Sequence, residues 1–432
     1  MPTALPSHLP GTLTISLWDF TWYTRTAPGE PFADLDRAFA EAVERGYNTV
    51  RVCAMPLLLF GTGLDTTRLR LGPLGGAYGQ RVRWYDVRGE TEIDARAHLL
   101  ALFEAARRHD CFVILSSWEY QQSPSFAGDR AWFDTIMAIE PERRAEALAD
   151  ALADLVDFLA GHDGLDDRIA FTELHNEVQA GRLAEGLTGD DTVVALRPRL
   201  QRGLARFRER HPDRPVTVNY AEVPVNSLHG IPRGVDVAVF HPYVHGVLDE
   251  LLDTYALRDT SRPFPQERAA RELLRPGAPR LADWAPPEKD RWRLAATVVG
   301  PREIYLHDWC DPGLFDTWLH DRRVPHVPAM EATLDLWIAA AGDWADERGV
   351  PLVFGEGWIG YTPLHSTFEG GAFGADFCRR AVTASARAGA RGAVVCSNAA
   401  PQHPMWADVA LQQECNALLR SGGVLRPGPL RG

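Results

Sequence analysis

The chain has 432 residues, 45% of them hydrophobic and 24% charged, with a formal net charge of −13. That is ample material for a core, and a long α/β barrel fits the length as one domain. The acidic balance argues against a nucleic-acid backbone or an anionic membrane surface as partner and suits a neutral substrate.

No apolar run is long enough to span a bilayer, and the stretch from Met1 to Pro10 lacks the basic start and apolar core of a signal peptide. Six cysteines, at 53, 111, 310, 378, 396 and 415, show no Cys-x-x-Cys spacing. They read as small buried hydrophobes of a reduced, cytoplasmic protein. Neither a metal nor a cofactor is expected, and the oligomeric state is not written in the sequence.

The first strand is read over Leu13 to Asp19, where apolar and polar residues alternate before an aromatic cluster with Trp22 and Tyr23. Asp34 then caps a helix carrying Leu35, Phe39 and Val43 on one face, and Gly46 stops it. Strand two runs from Asn48 to Cys53 and is followed by a Gly- and Pro-rich loop from Pro56 to Gly89. A helix over Asp94 to His109 presents Leu99, Leu102, Phe103 and Ala106. Strand three, Cys111 to Glu119, is near-continuously apolar, as a parallel strand covered on both faces requires.

A helix from Ala145 to Ala160 bears Leu148, Leu152, Leu155 and Leu159, and strand four follows from Ile169. Another helical stretch ends near His211; strands five and six cover Pro215 to Tyr220 and Val235 to His241. Between about 246 and 326 the periodicity fails, and this segment reads as an irregular insertion. A helix from Met330 to Arg348, strand seven around Phe354, a helix from Ala372 to Ala388, strand eight from Gly392 and a last helix from Asp408 to Arg420 complete the chain. Eight strands alternating with helices predict a single (β/α)8 TIM barrel, and no Gly-x-Gly-x-x-Gly after strand one supports a dinucleotide site.

In such barrels the strand C-termini build the site. Here they gather Trp18 and Asp19, Arg51, Trp118 and Glu119, Asn176 and Glu177, Tyr220, His241 and Tyr243, Glu356 and Trp358, and Asn398. A Glu ending a strand is by itself an ordinary solvated residue. Two of them, Glu177 and Glu356, on two strand ends of one barrel can form a pair of acid/base and nucleophile.

Asn176-Glu177 after strand four, Glu356 after strand seven, Arg51 on strand two and His241-Pro242-Tyr243 after strand six together resemble the clan A glycoside hydrolases. Within that clan the chain is most similar to the cellulase-like group, near glycoside hydrolase family 5. The resemblance implies a retaining hydrolase with Glu177 as general acid/base and Glu356 as nucleophile, the carboxyls ~5–5.5 Å apart. It implies that Arg51 and Tyr243 donate to Glu356, that Asn176 bonds the sugar 2-hydroxyl, and that His241 orients Glu177 or meets a hydroxyl.

Trp18, Trp118, Trp358 and Trp406 are expected to offer platforms for sugar rings. Asp19, Glu119 and Asn398 are expected to serve sugar hydroxyls, and Glu173 and His175 to make structural hydrogen bonds.

One departure stands out. The clan commonly places a Trp after strand eight, where this chain reads Ser397-Asn398-Ala399-Ala400. Trp406 or Trp358 would have to replace it, or the subsite has another shape. The loop after strand two and the insertion after strand six are expected to wall one end of the cleft, favouring exo-action on short β-linked oligosaccharides. Three other readings compete: a non-catalytic carbohydrate-binding barrel, a transglycosylase using the same carboxylates, and a metal-dependent hydrolase built on His241, His245, His307 and Asp308. The last lacks the usual His-x-His on strand one.

Overall fold

The computed structural model describes residues 5–71, 91–189, 191–360 and 362–423. The N-terminal four residues and most of the expected loop up to Gly89 lie outside this set. The fold is a (β/α)8 barrel. Its strands are β1 (Leu13–Asp19), β2 (Thr49–Cys53), β3 (Phe112–Ser116), β4 (Ile169–Glu173), β5 in two pieces (Val216–Thr217 and Asn219–Ala221), β6 (Ala238–His241), β7 (Leu352–Phe354) and β8 (Gly392–Val394). All their pairings are parallel. The ring closes through β5, whose first piece pairs with β4 and whose second pairs with β6. Every residue of β1 to β4 is buried, including the polar Thr14, Ser16, Arg51 and Glu173, so the polar groups of these strands face the barrel interior or its neighbours rather than water.

The helices form where capping and periodicity coincide. Asp34 accepts from the Arg37 N–H to start the helix Leu35–Glu44, and Gly46 stops the chain with φ +86°. Asp94 and Asp191 cap Ala95–Arg108 and Thr192–Arg210 in the same way. The expected apolar faces Leu99, Leu102, Phe103 and Ala106, and Leu148, Leu152, Leu155 and Leu159, are buried. Val43 is not: it is 44% exposed, and Ala38, Phe39 and Ala42 pack instead.

The segment 246–326 contains several short helices. It holds Val247–Thr254, Gln266–Glu272, Pro301–Trp309 and Pro312–Arg322, short pieces whose Pro-rich joints obscure any single period. All six cysteines are buried. No helix among the described residues is long and apolar enough to cross a membrane.

Candidate active site

Glu356 lies two residues past β7, and Glu177 four past β4. Glu177 sits in the left-handed region at φ 42°, where a side chain is strained. Asn219 of β5 holds it there: its Oδ1 accepts from the Glu177 N–H at 2.6 Å, while its Nδ2 donates to Glu173 Oε2 at 2.7 Å. One carboxylate oxygen each from Glu177 and Glu356 and one His241 ring nitrogen lie within 4.8 Å of one another.

Beneath this group runs an ionic base. Arg51, fully buried on β2, donates from Nη1 to Glu356 Oε1 at 2.8 Å and from Nη2 to Glu173 Oε2 at 2.6 Å and Asn176 Oδ1 at 2.8 Å. Burial opposes its charge, but Glu173 and Glu356 outweigh that and hold it protonated. A buried cation of this kind persists only when paired and hydrogen-bonded, and Glu173 supplies that pairing.

Tyr243 donates its hydroxyl to Glu356 Oε2 at 2.7 Å and lies 2.5 Å from Ser397 Oγ. With the Tyr243 proton spent on a carboxylate, Ser397 is the donor of the second bond, and its own Oγ accepts from the Gly357 N–H at 3.2 Å. Glu356 is therefore addressed by donors on both oxygens, which fixes the orientation of its carboxylate.

His241 stands between the two carboxylates. Its Nδ1 is 3.2 Å from Glu177 Oε1 and 3.6 Å from Glu356 Oε1, and burial holds the ring down at about 4, so it is neutral near pH 7. Its Nε2 has no hydrogen-bond partner among the described residues and rests against Gly355, where a Cβ would come within 2.9 Å of it.

Above these groups opens a cavity of about 470 Å³, within the range of small-molecule sites of roughly 300–1,000 Å³. Glu177, Glu356, Asn176, Tyr243, Asp19 and Trp118 line it. Asp19 is presented by a bulge in β1, at φ 44°, and Trp118 also lies over the Arg51 guanidinium. Arg51 and His241 sit behind the lining, contacting the carboxylates rather than the cavity.

Five residues expected at the substrate lie elsewhere. Trp18 is buried against Phe32 and Phe39. Trp358 is buried with its Nε1 donating to the Val395 carbonyl, and Trp406 stacks on Tyr47 with its Nε1 on Glu41. Glu119 accepts from the Leu57 and Leu58 amides, Ser117 and Trp132, and burial pushes its carboxyl up to about 7. Asn398 does not line the cavity. For the three Trp residues and Glu119 the group is taken up by packing or by hydrogen bonds within the protein that periodicity cannot reveal. Strand eight contributes Ser397 where a Trp was looked for.

Other site residues had no signal in the sequence. Gln121 donates to Glu177 Oε2 at 3.0 Å, and Glu222, at φ 62°, lines the cavity with its carboxyl raised by desolvation. Gln121 lies well past the end of β3, beyond the strand-end positions that pattern reading inspects, whereas Glu222 directly follows β5 and carried no motif. The insertion supplies the far wall through Leu257, Arg258, Thr260 and the run 298–303.

Residues 15–140 match a family model described as cellulase-like, sugar-binding. That stretch holds Asp19, Arg51 and Trp118 and stops short of both Glu177 and Glu356. No curated protein is significantly similar in sequence. A candidate glycoside hydrolase from Parabacteroides distasonis superposes over 96% of this chain and 95% of its own, with TM-score 0.67 at 19% identity. An endo-beta-1,4-mannanase from Thermotoga petrophila matches at TM-score 0.47 and 12% identity over 96% of this chain and 78% of its own. A family 5 xyloglucanase from Paenibacillus pabuli matches at 0.48 and 11% over 92% and 93%. The chain is thus cellulase-like in sequence over residues 15–140 and a (β/α)8 barrel throughout, the likeness that its strand-end motifs implied.

Proposed function

We propose that this protein is a retaining glycoside hydrolase that acts on short β-linked oligosaccharides from one chain end. The observation that carries the reading is the pair of carboxylates within 4.8 Å, held in unlike surroundings. Glu356 takes donors on both oxygens and suits the nucleophile. Glu177 faces the neutral His241 imidazole and the Gln121 amide, and suits the proton donor. In the first step Glu356 attacks the anomeric carbon while Glu177 protonates the departing oxygen. In the second Glu177 takes a proton from water as its oxygen bonds the anomeric carbon, and the bond to Glu356 breaks to free the carboxylate and the sugar with its configuration retained. One oxygen of each carboxylate lying within 4.8 Å of the other supports direct displacement over a site with water held between the carboxyls, for which ~6.5–9.5 Å is needed.

Asn176 and Asp19 would meet hydroxyls and Trp118 a ring face. The insertion adds Leu257, Arg258, Thr260 and residues 298–303 to the cavity wall, which supports exo-action. Glu177, His241 and Glu356 also have the spacing of a metal-ligand set, but Arg51 already occupies Glu356 Oε1, and a cation there would meet a fixed positive charge.

A panel of nitrophenyl glycosides assayed with wild type, Glu177→Ala and Glu356→Ala tests the reading. Release by the wild type on at least one sugar, lost by ~10²-fold or more in both variants, is expected. No release on any sugar would contradict it, and so would mid-chain cleavage of a polysaccharide for the exo-action.

A further inference from the structure

Two of the hydrogen-bond chains that leave the Arg51 guanidinium end on the carboxylates of Glu356 and Glu177. The short one ends on Glu356. The longer one passes through two side-chain amides: Arg51 Nη2 donates to Asn176 Oδ1 at 2.8 Å, Asn176 Nδ2 donates to Gln121 Oε1 at 2.8 Å, and Gln121 Nε2 donates to Glu177 Oε2 at 3.0 Å. An amide can be turned either way, but a guanidinium has no acceptor. Arg51 therefore fixes the oxygen end of Asn176, Asn176 fixes that of Gln121, and the Gln121 NH2 is left facing the carboxylate. The Gln121 backbone is anchored as well, since its carbonyl accepts from the Val298 N–H of the insertion at 2.8 Å.

We propose that Gln121 is a positioning residue for Glu177, presenting to Oε2 a donor whose direction is imposed by Arg51 through Asn176. The inference rests on the glycoside-hydrolase reading and deepens it. With Oε2 always accepting, the transferable proton belongs on Oε1, the oxygen 3.2 Å from His241 Nδ1. Neutral His241 leaves that proton on Glu177. One cation thus sets the hydrogen-bond direction at both carboxylates, accepting nothing itself and requiring an acceptor at the end of each chain.

The test compares wild type with Gln121→Met and Gln121→Glu, each checked for an unchanged circular dichroism spectrum, on aryl glycosides of poor and good leaving group. Removing the donor to Glu177 disfavours its ionised form, so the basic limb of the kcat/KM pH profile should move up by about one pH unit in Gln121→Met and further in Gln121→Glu. The loss in kcat/KM should reach about tenfold for a poor leaving group and nearly vanish for a dinitrophenyl glycoside, which departs without a proton. An unmoved limb with the same loss on both substrates would overturn the inference and leave the hydrolase reading standing. A wild type that releases no glycoside would overturn both.

Discussion

At the residue scale the site is a set of obligations that follow from burying one guanidinium. Arg51 is 0% exposed and Glu173 is its bidentate partner, so neither can change alone. Arg51→Met should leave Glu173 buried and uncompensated, costing about 3–5 kcal/mol of stability besides abolishing turnover. Chemical denaturation would measure the first, and a loss under 1 kcal/mol would show that Glu173 is satisfied without it. Gly355→Ala makes a subtler change. Its Cβ would stand 2.9 Å from His241 Nε2 and push the ring toward the carboxylates, so kcat should fall while the chain stays folded. Unaltered kcat would mean that His241 is free to shift. Arg51, Glu177, His241, Tyr243 and Glu356 were all legible as strand-end residues. Gln121 was not, because it lies in a connection whose path depends on tertiary contacts, and Glu222, though it directly follows β5, belongs to no motif that singles it out.

At the element scale, period and caps located the strands and helices well. What they missed was which neighbours consume a side chain. Trp18, Trp358 and Trp406 stand close to strand ends in sequence, yet each ring packs into the core or against a helix. Val43 fits a helical stripe with Leu35 and Phe39 and is nonetheless 44% exposed, because the buried arc is centred on Phe39. Phe39→Ala should therefore cost about 3–5 kcal/mol and Val43→Ala under ~1 kcal/mol, as thermal unfolding can check. Similar costs at the two positions would contradict this placement. The insertion defeated periodicity for a related reason: its helices are short and separated by proline-rich joints, so no window holds a single period.

At the scale of the whole molecule, the barrel keeps two imidazoles neutral. Burial lowers His241 to about 4 and His175 to about 3, from an ordinary 6.5. As pH falls below 6.5 the unfolded chain binds these protons and the folded one does not. Their stabilisation is therefore complete above 6.5 and is lost progressively toward pH 4. Tm should fall steadily over that window, and a flat Tm would show that the rings are charged within the fold.

The central claim is that Glu356 forms the bond to the sugar. It is tested most directly by treating the enzyme with a 2-deoxy-2-fluoro glycoside of whichever sugar the nitrophenyl panel identifies, followed by peptide mass mapping. A single glycosyl adduct on Glu356, absent from Glu356→Gln, is the predicted result. An adduct on Glu177, or continued turnover of the parent glycoside by Glu356→Gln, would contradict it.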